Sequence, residues 1–144
     1  MLLTGPAHFQ SYVVSSPSLQ TNAEEVWQWE EAYASSHSNL RAEVYVTAGD
    51  SEDEGRDKLV AQSEMTSPDQ ARLKEILAYY DANGWPRGQR DTVPEFLNKL
   101  SARGYADLDI AGEVFPEETH MSVLPGALSK GLRYTLAGWR PRQT

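Results

Sequence analysis

Of the three histidines in this 144-residue chain, His120 stands where an imidazole can do chemistry. Residues 108–115 alternate apolar with small or polar side chains as a half-buried strand does, and Pro116, Glu117 and Glu118 then break the run. Thr119 and His120 are thereby presented at the C-terminal end of a strand, on a loop that leads into a helix. An imidazole accepts and returns a proton near neutral pH, and a loop held between two regular elements keeps it firm yet reachable. His37, in the polar stretch 35–39, reads as a surface residue. A second concentration of chemistry is the acidic run Asp50-Ser51-Glu52-Asp53-Glu54 directly after Gly49. By residue type alone it reads as a solvated acidic turn. A calcium loop is another reading, because Asp50, Glu52 and Glu54 alternate before Gly55. That reading fails, since the twelfth position is Ala61 where a bidentate glutamate is required.

These residues need elements to position them. Residues 10–14 are short and apolar enough for a buried strand, and 43–48, with Val44 and Val46 opposite Tyr45 and Thr47, form the clearest strand of the chain. Asn22 is placed to cap a helix that carries Glu24 and Glu25 in its first turn and Val26, Trp29, Glu30 and Tyr33 along one face, with Trp27 off that face. Ser67-Pro68-Asp69 opens a further amphipathic helix with Leu73, Ile76, Leu77 and Tyr80 on one side, closing at Asn83-Gly84. Trp85-Pro86 and the basic pair Arg87 and Arg90 follow in a loop. Asp91 or Thr92 then begins a helix with Val93, Phe96, Leu97 and Leu100 on its buried side, ended by Gly104. After His120, Ser122 is placed to cap the last helix, Pro125 falls in its first turn, and Val123, Leu124, Ala127, Leu128 and Leu132 recur along one face. Three strands alternating with helices predict an α/β layered domain with a short, mostly parallel sheet flanked by helices, and its ligands belong at the C-terminal edge of the sheet.

Composition narrows the rest. The chain is 40% hydrophobic with four tryptophans, which suits one core and one domain over residues 1–144. A formal charge of −8 with no basic cluster argues against nucleic acid and anionic membranes as partners. No cysteine is present, so disulfides and thiolate metal sites are out of reach. The N-terminal Met1-Leu2-Leu3 gives way at once to Thr4-Gly5-Pro6, and no apolar run approaches the roughly 20 residues of a membrane span, so a cytoplasmic location is expected. Nothing in the pattern calls for a cofactor or a metal.

In order and spacing, several segments resemble the C-terminal half of the esterase D-like family of α/β-hydrolases, which includes siderophore esterases. Residues 9–19, Phe-Gln-Ser-Tyr-Val-Val-Ser-Ser-Pro-Ser-Leu, are similar to that family's sixth strand and following turn. Residues 41–54 are similar to its seventh strand, and Arg103-Gly104-Tyr105 with 108–115 to the run into its eighth. Glu118-Thr119-His120-Met121-Ser122 resembles the loop that carries the family's catalytic histidine. The resemblance implies a three-layer α/β-hydrolase-like domain with His120 as general base. It also implies an orienting acid after the second strand; by the usual offset from the glycine Glu52 comes first, with Asp53 or Asp50 next. A small-molecule ester is the implied substrate class. Two departures stand out: Gln20, Thr21 and Asn22 replace aromatic residues frequent in relatives, and the helix around 66–90 is an insertion.

The family's serine lies in a Gly-x-Ser-x-Gly elbow that precedes both the acid and the histidine in the chain. No such elbow is found; residues 1–9 resemble the tail of the helix that follows it. Ala127-Leu128-Ser129-Lys130-Gly131 fits a variant of the motif but falls inside a helix, where the strained turn that exposes a nucleophile is lacking. Ser15, Ser16 and Ser18 read as turn residues. The expectation is a truncated, non-catalytic esterase-like module for binding or assembly; the alternative is a carboxylic-ester hydrolase whose serine comes from another position or another chain. Because the strand at 10–14 would have lost its neighbour, a homodimer through the exposed sheet edge is expected.

Overall fold

The computed structural model of the chain describes residues 2–5, 8–19, 23–53, 70–83 and 88–137. Strands β1 (Ser11–Ser15), β2 (Ala42–Gly49) and β3 (Leu108–Phe115) form one parallel sheet in that order. Helix α1 (Ala23–Ser36) joins the first two strands. A single 3-10 turn (Asp50–Asp53), α2 (Gln70–Asn83) and α3 (Gln89–Ala102) lie between the second and third, and α4 (Val123–Thr135) follows the sheet. The fold is α/β, as the strand and helix periods predict, and the strands begin and end within a residue of the predicted bounds.

Central β2 explains the near-continuous apolar character of its sequence. Val44, Val46 and Ala48 are at most 1% exposed on one face, and Tyr45 and Thr47 are buried on the other. The first face carries the main core: Leu40, Val44 and Val46 pack with Tyr33 of α1, with Val93, Phe96 and Leu100 of α3, and with Tyr105. The second face is covered by α4. A Cβ added at Gly131 would meet Val13 Cγ1 at 2.4 Å and Tyr45 Cδ1 at 3.3 Å, so the helix backbone rests on a pair of residues that stand in register on β1 and β2.

That close approach corrects the reading of α4. Its buried positions are Val123, Ala127, Gly131 and Thr135, whereas Leu124, Leu128 and Leu132 are 45–49% exposed. Small residues let the helix lie against the sheet; leucines in those places would hold it away. In α1 the tryptophans exchange roles. Trp27 packs toward the core with its ring 6.1 Å from Phe96, and Trp29 is exposed, because Tyr33 and the fully buried Glu30 set the inward face. Helix α3 starts at Gln89 with Gly88 as its N-cap, so Arg90 lies in the first helical turn and not in a loop. Leu73, Ile76, Leu77 and Tyr80 of α2 are half-buried; the predicted start at residues 67–69, the caps at Asn22 and Gly84, and Trp85 and Arg87 lie outside the described residues.

Glu30 is held by a fork from Arg103, Nε to Oε1 at 2.7 Å and Nη2 to Oε2 at 2.9 Å, and by Lys99 Nζ at 3.1 Å. Burial pushes the Glu30 carboxyl up, but the bonds from Arg103 and Lys99 outweigh it and hold the group below its ordinary range. This ties α1 to α3 behind the sheet. Among the described residues no helix is long and apolar enough to cross a membrane.

Candidate functional site

The C-terminal ends of all three strands converge on one carboxylate. Beyond Gly49 the 3-10 turn folds the chain back, so that Glu52 Oε1 accepts the Gly49 N–H at 2.6 Å. The same oxygen accepts the hydroxyl of Ser16, the first residue past β1. Ser16 is 4% exposed, its N–H donates to the Thr47 carbonyl at 2.7 Å, and its φ is +47°, a left-handed conformation that costs a non-glycine residue about 1–2 kcal/mol. With its side chain only 1% exposed, Glu52 has one oxygen taken up by backbone and serine and the other turned to the histidine loop.

The histidine loop docks onto the same place. Past Phe115, Glu117 at φ +61° reverses the chain, and the Glu118 carbonyl accepts the Ser51 N–H at 3.1 Å. That carbonyl lies against Gly49: a Cβ there would fall 2.1 Å from its oxygen, which is why the last residue of β2 has no side chain. Thr119 N–H then donates to Ser122 Oγ at 2.8 Å, and the Thr119 carbonyl accepts the Val123 N–H at 3.0 Å to open α4. The Ser122 hydroxyl therefore closes the loop rather than capping the helix from its own side chain, a correction to the predicted cap.

In this arrangement His120 Nδ1 lies 3.1 Å from Glu52 Oε2, while the imidazole side chain is 59% exposed. A carboxylate oxygen here accepts, so a neutral imidazole making this contact donates from Nδ1 and leaves its lone pair on Nε2. This is the geometry in which an acid fixes the tautomer of a general base and stabilises the imidazolium that forms when the base takes a proton. Asp50, the other candidate acid, accepts the Ser51 hydroxyl at 3.2 Å; for Asp53 the structure gives the backbone of the turn alone. The inward turn of Glu52 also removes it from any calcium loop. Among the described residues no cluster of three metal-ligating side chains occurs.

The serines sort by position. Ser129 is exposed on α4, with its carbonyl and hydroxyl facing Arg133, and has no strand before it. Ser16 does stand at a strand end with positive φ, as an elbow serine would, but its hydroxyl is buried on the acid and not directed at the imidazole. Its service to Glu52 was not legible in the sequence, where it reads as a turn residue. Elsewhere on the α4 face, Tyr45 donates to Glu113 Oε1 and Lys130 Nζ sits 2.8 Å from Glu113 Oε2, holding the Glu113 carboxyl down. A polar cleft of about 360 Å³, lined by Gln10, Arg41, Glu43, Asp107 and Thr135, lies at the opposite, N-terminal end of the strands.

No protein-family model and no curated protein matches the sequence. Among solved structures, the chain is similar to a siderophore hydrolase, EstA, from Aspergillus nidulans, with a TM-score of 0.56 and 22% sequence identity; the match covers 92% of this chain and 41% of that one. The chain thus spans less than half the length of this relative. At this identity what is shared is the fold, and the three-stranded parallel sheet with its flanking helices matches part of an α/β-hydrolase-like fold.

Proposed function

We propose that these residues form the acid-and-histidine part of an esterase-like α/β-hydrolase unit, and that on their own they act as a non-catalytic module for binding or assembly. The observation that carries this reading is the Glu52–His120 contact: a buried carboxylate with fixed partners, joined to Nδ1 of an exposed imidazole. Glu52 is the orienting acid in this reading and His120 the base. A base activates a nucleophile only within hydrogen-bond reach, and acyl transfer also needs donors aimed at the developing oxyanion. Among the described residues neither Ser16 nor Ser129 is hydrogen-bonded to His120: the Ser16 hydroxyl donates to Glu52, and the Ser129 hydroxyl accepts from Arg133.

A second reading is a carboxylic-ester hydrolase that receives its serine from another position or another chain; the exposed imidazole of His120, held through Nδ1, favours it. The siderophore hydrolase named above makes an ester the substrate class to test. Purified 1–144 is expected to leave a p-nitrophenyl ester unhydrolysed. Turnover that disappears in His120→Ala would overturn the non-catalytic reading, and fluorophosphonate labelling would then locate the serine.

A further inference from the structure

Beside the site, one edge of the sheet is open among the described residues. Among the described residues no strand pairs with the outer edge of β1. Gln10 and Ser16 turn their backbone groups toward β2, so by alternation the N–H and C=O groups of Ser11, Val13 and Ser15 point outward. The strand is Ser-Tyr-Val-Val-Ser: it has no charge and no proline, the usual devices that keep an open edge single. The same side of the molecule carries an apolar stripe on α4. The flank of α4 that faces β3 bears Lys130 and Tyr134, bonded to Glu113 and Asp109. Leu124, Leu128 and Leu132, with Leu136 just past the helix end, recur every fourth residue on the opposite flank, each 45–49% exposed; with Gly131 seated on Val13, that is the flank toward β1.

We propose that this surface binds a second copy of the chain, through an antiparallel β1–β1 junction about a two-fold axis that passes near Val13 perpendicular to the sheet. The geometry fits a copy of itself. Paired strands lie about 4.8 Å apart, and α4 rests over the line between β1 and β2, so the two copies of α4 would lie roughly 10 Å apart, the normal separation of packed helices. Two leucine stripes would then meet face to face while Val13 and its symmetry mate exchange backbone hydrogen bonds. A chain with a net charge of −8 repels its copy in general, but β1 and this flank of α4 carry no acidic residue, and the basic Arg133 is the charged member of α4 nearest to them. A self-complementary, neutral patch is what an isologous interface requires.

The proposal goes beyond the site reading and does not depend on it. Sedimentation equilibrium of 1–144 at micromolar concentration is expected to give twice 16.1 kDa. Leu128→Lys with Leu132→Lys, both at exposed positions, should weaken association roughly a hundredfold or more while the circular dichroism spectrum of the folded chain is unchanged. The chain has no cysteine, so Leu132→Cys, one residue from the Gly131 that sits over Val13, introduces a lone thiol that should form a covalent dimer on mild oxidation. A wild-type monomer at about 50 µM overturns the proposal, as does a dimer that survives the lysine substitutions with Leu132→Cys uncrosslinked. If the lysine variant does not fold, the cysteine variant decides. Ester turnover is measured separately, so failure of the site reading leaves this result untouched.

Discussion

Replacing Gly49 by alanine would insert one methyl group where the end of β2 meets the histidine loop. The new Cβ would lie 2.1 Å from the Glu118 carbonyl oxygen and 2.6 Å from its carbon, and both are backbone atoms that cannot swing aside. To regain ordinary separation the loop must retreat by more than about 1 Å. The Ser51–Glu118 bond and the His120–Glu52 contact, each 3.1 Å, would then pass the roughly 3.5 Å limit of a hydrogen bond. Overpacking of about 1–3 kcal/mol and a lost backbone bond of about 1 kcal/mol sum to about 3 kcal/mol, or roughly 10 °C in Tm for a chain of this length. Gly104→Ala is the control: its φ is +67° with nothing within 4 Å, so the cost is backbone strain of about 1 kcal/mol and the histidine is untouched. Thermal unfolding reads the stabilities, and imidazole 15N spectra, with three histidines to assign, read whether His120 keeps its proton on Nδ1. A Gly49→Ala protein that melts with wild type and retains the Nδ1–H tautomer would refute the claim that this glycine seats the loop.

Ser16→Gly deletes the hydroxyl on Glu52 but relieves the strain at φ +47°; loss of a charged hydrogen bond, about 1.5–3 kcal/mol, is offset by about 1 kcal/mol or more. Urea unfolding should therefore change little, while the His120 tautomer signal becomes mixed; an unmixed signal would show that Gly49 alone holds the acid. The Glu30 carboxyl is depressed in the folded state, so its contribution is fully present above the unfolded glutamate value and is lost as pH falls through the lower folded value. Urea midpoints of wild type should accordingly fall on acidification through that window, with Glu30→Gln showing less of the fall; identical pH profiles would remove the Glu30–Arg103–Lys99 cluster as the cause.

Much of the framework was legible in the residues themselves. Apolar alternation over 108–115, the strand pattern of 43–48 and the punctuation by Pro116 and Gly49 are local signals, and local signals suffice to place strands, helices and the loops between them. They also put His120 and the 50–53 acids at the same end of a parallel sheet, because strand polarity follows from the alternation of strand and helix. Which acid reaches the imidazole was a different matter: Asp50, Glu52 and Asp53 have the same chemistry, and the 3-10 turn chooses Glu52 by aiming it at the Gly49 N–H and Ser16, 36 residues earlier in the chain. The faces of α1 and α4 were likewise decided in three dimensions. Helical periodicity identifies stripes, but Trp27 faces inward because Glu30 must reach Arg103, and Ala127 and Gly131 displace the leucines because the backbone of α4 lies directly on Val13 and Tyr45. Hydrophobicity alone assigns the larger side chains to the core; close packing between layers assigns the smaller ones, and that distance exists only once the sheet and helix have met.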